Sequence, residues 1–324
     1  MSIIVPIGWA YTQDFQAAPP GGSQAFPKWL VEEVELGGSR VLLGRGVRRV
    51  EVESGSVTGV LLSAKPRRGI EEHLVRCRYV VATNDVLTLY KRMLPPGTLA
   101  PKRLSKMKSM EMYSSCVTLS IGLNCPAEDL GFGPEMVTLT RDDLLLEKQN
   151  CGEPEIASIT VLAPSIRDSS LAPGGCGTLT IYIAAEIEYG DHWKTGADFE
   201  RGAAYKEFKQ AYADIIIRRV EEQFDIELCS HIEMLDIATP VTHWRYTGNH
   251  RGSLMGGRPT RANMRGRVAN YRTPIKRLYL GGHWAEYGGG VPVASRAGAN
   301  AALLVLKEAK RSEYRRLRDL LDNR

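Results

Sequence analysis

The sequence predicts a mixed α/β protein, on three observations. Short β-branched runs recur through the chain. A long helical periodicity separates them at 197–224. From Leu278 to Lys310, LYLGGHWAEYGGGVPVASRAGANAALLVLKEAK reads as a buried strand, a glycine-rich turn and a helix. That order builds cradles for phosphates and cofactors, because a helix start offers free N–H groups.

The elements follow in order. PPGGS at 19–23 leads into a helix from Gln24 to Leu36, which Gly37 and Gly38 end. VLL at 41–43 reads as a strand. VRRVEVE at 47–53 and VTGVLL at 57–62 alternate at period two around Ser54-Gly55-Ser56, so they form an antiparallel hairpin. LVRCRYVVAT at 74–83 is a further strand region. Residues 86–111 are helical with an interruption at Pro95-Pro96-Gly97. In the middle, CVTLSIGL at 116–123, MVTLT at 136–140, IASITVL at 156–162 and TLTIYIAA at 178–185 predict a mixed sheet with longer loops. The 197–224 helix follows, and IELCSHIEMLDIATP returns as a strand. Residues 241–275 are rich in Gly, Arg and Asn and show no periodicity. A loop of that length is functional or closes over something. The tail RSEYRRLRDLLDNR is a charged amphipathic helix with a solvated face.

The chain has 324 residues, 43% of them hydrophobic, enough for two domains and a sizeable core. Its net charge of +5 is too mild for nucleic acid as main ligand, and no basic stripe carries interleaved aromatics. No apolar run approaches the roughly 20 residues that span a bilayer. MSIIVPIGWAYTQDF lacks the basic and apolar regions of a signal peptide. Six cysteines are scattered without a C-x-x-C, which argues against a disulfide framework or zinc site and for a reducing cytoplasm. The histidines show no ligand spacing, so no metal is expected. No Ser-His-Asp order is readable, so nothing favours a hydrolase.

Several collinear stretches resemble one family. PPGGSQAFPKWLVEEVELGGSRVLLGRGVRRVEVESGSVTGVLL is similar to the middle of FAD-dependent desaturases of the phytoene desaturase and retinol saturase type. APSIRDSSLAPGG at 163–175 resembles their substrate-domain segment. ATPVTHWRYTGNHRGSLMGG at 238–257 is similar to the run ahead of their last strand. TPIKRLYLGGHWAEYGGGVP at 273–292 resembles their closing flavin motif. Together the matches run from about Pro19 to about Leu306.

The resemblance implies a partial FAD-binding domain of glutathione-reductase-like type at 19–111 and 241–310. It implies an inserted substrate-binding domain at 112–240, followed by the charged helix at 311–324. VLL, YVVA at 79–82 and LYLG at 278–281 would share one largely parallel sheet. FAD is the implied cofactor. Gly281, Gly282, His283, Trp284, Gly289, Gly290, Val291 and Pro292 would face its flavin end, and Val47 its adenine. The family opens with a strand, a G-x-G-x-x-G turn and a helix. GRGVRRV at 44–50 lacks the third glycine and leads into a strand. The expectation is therefore a sheet completed by a second polypeptide that carries the βαβ unit, with a fragment of a longer chain as the alternative.

The implied reaction passes hydride to or from flavin while desaturating, saturating or isomerising an extended apolar substrate. Peripheral membrane contact is an open alternative to a purely cytoplasmic setting. Catalytic candidates are Glu286, Tyr287 and Arg245. A flavin amine or amino-acid oxidase is the alternative enzyme and would use Arg245 to hold a carboxylate. A non-catalytic scaffold subunit is the alternative from another class. Asn84 and Asp85 read as a helix cap, and His243, Trp244, Arg245 and Tyr246 as a loop staple.

Overall fold

The structure is a computed structural model that describes residues 19–65, 68–150, 152–196 and 198–322. The reading of MSIIVPIGWAYTQDF falls outside the described residues.

Two hydrophobic cores organise the chain. The first is built on a five-stranded sheet of β5 (Ser115–Leu123), β6 (Val137–Leu139), β7 (Ile159–Leu162), β8 (Gly177–Ala185) and β9 (Ile232–Ala238). Its order is β6-β7-β8-β5-β9. β5 and β8 pair along their whole length, from Ser115 opposite Ala185 to Leu123 opposite Gly177. Period-two alternation puts Val117, Leu119 and Ile121 on one face with Leu179, Ile181 and Ile183. Helix α3 (Ala203–Phe224) lays Tyr205, Tyr212, Ile216 and Val220 into the same core. Each such side chain stabilises the fold by roughly 1.5–3 kcal/mol on burial.

The second core joins two small sheets. β1 (Val47–Glu53), β2 (Ser56–Leu62) and β3 (His73–Arg76) form an antiparallel sheet. β4 (Val80–Ala82) and β10 (Leu278–Leu280) pair in parallel. The hairpin turn ties them together: Val57 N–H donates to the Lys276 carbonyl at 3.1 Å, and Lys276 N–H to Gly55 at 3.0 Å. Val50, Val57, Leu89, Leu278, Trp284 and Ala297 fill this core.

Around them run α1 (Ala25–Leu36), α2 (Pro101–Lys108), α4 (Pro240–Thr247), α5 (Arg261–Gly266), α6 (Gly290–Ala309) and α7 (Arg311–Asp322). None of the residues of α1 is buried. Its entry is held by Gly21 N–H, which donates to Asp168 Oδ2 at 2.7 Å. Beyond β8, Gly190, Asp191, His192, Trp193 and Lys194 all have φ between 54° and 59°. That is a left-handed turn, which costs about 1–2 kcal/mol per non-glycine residue. Trp193, fully buried, anchors it by donating Nε1–H to the Glu186 carbonyl at 3.1 Å.

Four expectations need correction. Val41–Leu43 is not a strand: it lies between glycine-rich turns, and Leu43 is 87% exposed. β-branched composition favours a strand only where a partner and a covering layer exist. The parallel sheet therefore holds β4 and β10 alone among the described residues. The central sheet is antiparallel at every pairing rather than mixed. Residues 241–275 are not one loop. They carry most of α4 and all of α5, each too short to display a helical period. A capping box between Thr239 and Thr242, with Pro240 in the first turn, starts α4.

Candidate functional site

The glycine turn is positioned by β10. Gly281 N–H continues the parallel pairing by donating to the Ala82 carbonyl at 2.8 Å. The chain then turns at Gly282 with φ +61°. A Cβ there would meet nothing closer than 3.8 Å, so within this chain the glycine serves conformation rather than space. Gly289 is the opposite case. A Cβ on it would stand 1.8 Å from Met255 Sδ, because the 253–257 segment packs directly on the turn. That segment is fixed by Ser253, whose hydroxyl donates to the Tyr113 carbonyl at 2.8 Å.

His283 and Trp284 project inward from the turn. Trp284 is 2% exposed, and its Nε1 has no hydrogen-bond partner among the described residues. The same holds for His283 Nε2. Burial pushes the His283 imidazole below its usual value, which the nearby Asp85 carboxylate partly offsets. Asp85 is the hinge of the site. Its Oδ1 accepts from Thr88 N–H at 2.6 Å, so it caps the helical turn Val86–Thr88 as its sequence position suggested. Its Oδ2 accepts from His250 N–H at 3.1 Å, which ties β4 to the segment after α4.

The catalytic candidates occupy three different settings. Glu286 is engaged on both carboxylate oxygens: Tyr271 and Asn300 donate to Oε1, and Arg296 Nε donates to Oε2 at 2.9 Å. Tyr287 OH donates to the Asn263 carbonyl at 2.5 Å and accepts from Val268 N–H at 3.0 Å. Both side chains thus hold the loop to α5 and α6. Arg245 stands on α4, stacked 5.7 Å over Tyr246, and lines a separate cleft that shares Asp85 and His250 as its wall.

Val47 opens β1 opposite Leu62, at the end of the hairpin away from the turn that touches Lys276. Gly290, Val291 and Pro292 form the first turn of α6. Among the described residues no side chain caps that helix, so the Gly290, Val291 and Val293 amides have no side-chain acceptor there. The four-residue cluster lies on α4 rather than in a loop; His243 and Trp244 pack against neighbours, while Tyr246 is 79% exposed. His243 Nε2 sits 3.3 Å from Cys116 Sγ, and Trp244 stacks on Phe199 at 4.7 Å. Sequence reasoning missed the cleft residues Lys91, Arg92 and Phe199, which come together only through the tertiary fold.

These residues fit a flat, hydrogen-bonding group. Two buried ring nitrogens without partners among the described residues and an uncapped helix start lie on a turn whose backbone is open at Gly282 and Gly290, while Met255 covers Gly289 and Thr83 and Val81 cover Gly281.

A flavin containing amine oxidoreductase family model matches residues 3–306. The chain is 27% identical over 278 residues to an all-trans-retinol 13,14-reductase of Danio rerio, covering 82% of this chain and 45% of that protein. It is 25% identical over 297 residues to a lycopene-forming phytoene desaturase of Pseudescherichia vulneris, covering 89% and 56%. A crystal structure of an oxidoreductase from Methanosarcina mazei superposes with a TM-score of 0.55 at 13% identity, covering 88% of this chain and 55% of that one. The chain spans about half the length of the curated relatives it matches. The family is flavin-containing and implies FAD, and its relatives include the retinol reductase and desaturase that the motifs resemble. The chain belongs to the flavin-containing amine oxidoreductase family.

Proposed function

We propose that this chain is the flavin-facing and substrate-binding part of an FAD-dependent oxidoreductase, one that moves hydride between flavin and an extended apolar molecule. A second polypeptide with the strand, G-x-G-x-x-G turn and helix completes its FAD site. The bound flavin would supply the hydride chemistry. This chain's residues would hold and orient it: the turn from Gly281 to Trp284 and the amides at the start of α6.

One observation carries the reading. β4 and β10 are parallel strands, which are ordinarily covered on both faces, yet Val81 is 39% exposed. Trp29, Leu30 and Val34 on α1 are exposed as well. Apolar surface of this kind marks an interface. The engagement of both Glu286 oxygens favours a reaction that relies on positioning over a dedicated base.

Native purification through a tag on this chain tests the proposal. The expected product is a complex with a flavin absorption spectrum and a co-purifying chain that carries the dinucleotide fingerprint. A flavin-free, stable monomer that recruits no such chain would overturn it.

A further inference from the structure

The cleft beside Asp85 has a composition that an apolar substrate alone does not require. It encloses about 450 Å³ between the 85–92 turn and α4. Lys91, Arg92 and Arg245 line it from two separate segments. None of the three has a carboxylate within ion-pair distance among the described residues. The acidic groups nearby are already engaged. Asp85 accepts from two backbone N–H groups, while Glu186 and Glu188 both pair with Arg251. His250 in the wall is biased toward its neutral form, chiefly by burial.

Two aromatic rings also line the cleft. Phe199 stacks on Trp244, and Phe199 itself holds φ +54°. A bulky side chain in that region is uncommon and is retained when its surroundings fix it. Three cations without a carboxylate partner among the described residues, in one cleft with two aromatic rings, match a molecule with an acidic oxyanion at one end and an apolar body.

We infer that this cleft binds the carboxylate or phosphate end of an otherwise apolar molecule, with Lys91, Arg92 and Arg245 on the oxyanion and Phe199 and Trp244 on the chain. Its role as the substrate's anchoring end rests on the flavoprotein reading above, through the Asp85 wall that the cleft shares with the glycine turn. The binding itself does not depend on that reading.

Isothermal titration of the natively purified protein with decanoate, decyl phosphate, decanol and inorganic phosphate decides it. Exposed cations each contribute modestly, so the decyl anions should bind roughly tenfold tighter than decanol, with a preference that shrinks as salt rises. The combined variant Lys91→Gln, Arg92→Gln, Arg245→Gln should abolish the preference and leave decanol binding and the melting temperature unchanged. Arg92→Glu alone should weaken the anions selectively. Trp244→Ala should weaken all three decyl ligands together.

Equal binding of decanol and decanoate, or a preference that survives the triple variant, would overturn the site. So would inorganic phosphate binding as tightly as decyl phosphate, since the aromatic rings would then be idle. Anion preference in a protein that retains no flavin would overturn the flavoprotein reading and keep this site. Retained flavin without anion preference would do the reverse.

Discussion

At the scale of single residues, the turn depends on backbone conformation as much as on side chains. Gly282→Ala should cost about 1–2 kcal/mol, because φ +61° is the left-handed region. Gly282→Val should cost more and should also strip flavin from the assembled protein, while the central sheet melts as before. Retention of full flavin occupancy by Gly282→Val would make the turn purely structural. Titration gives a second prediction. Burial lowers the folded-state pKa of both His243 and His283. The unfolded chain then binds more protons than the folded one just below the usual imidazole value of about 6.5. Stability contributed by these histidines is therefore present above that value and is lost as pH falls toward the depressed folded values. Thermal melts between pH 7 and 5 should show a falling midpoint, and His283→Asn should flatten the slope. The thiols give a third. Burial pushes Cys116 to about 11, so iodoacetamide at pH 8 should label exposed Cys229 long before it.

At the scale of elements, what the sequence made legible depended on the range of the interactions involved. The hairpin at 47–62 was readable because its register is set by a local turn and alternation. α3 was readable because its 22 residues display several helical periods, although it starts at Ala203 and leaves Phe199, counted in that period, outside the helix at φ +54°. Val41–Leu43 misled because its strand character would need neighbours that the sequence does not bring to it locally. α4 and α5 were hidden because eight and six residues show too little periodicity, although the Thr239 capping signal was present. The glycine turn could be found as strand, glycines and helix. Asp85 could be assigned only its capping half, since its bond to His250 spans 165 positions. The close approach of Met255 to Gly289 has the same character: packing between distant segments leaves no mark on local pattern. Thr239→Ala tests the capping argument. It should cost roughly 1 kcal/mol, as loss of a side-chain cap does, plus the loss of its bond to Tyr205 OH at 2.8 Å, measured by denaturant unfolding.

At the scale of the whole molecule, the two cores differ in how well they are covered. The five-stranded sheet is shielded by α3, whereas β4 and β10 leave Val81 partly in water. The chain by itself should accordingly hold FAD weakly, and gel filtration with added FAD would check this by the flavin-to-protein ratio. Its melting temperature should rise sharply with the second polypeptide proposed above, as expected when a partner binds only the folded state. Helix α1 gives that transition an internal reporter. Twelve residues with none buried lie at the length where an isolated helix is marginal in water. Its amides should trade hydrogen for deuterium almost as fast as an unstructured peptide while the chain is alone, and slow markedly once a neighbour covers Trp29, Leu30 and Val34. The exchange rate of one short segment thus becomes a label-free readout of how much of the population is assembled.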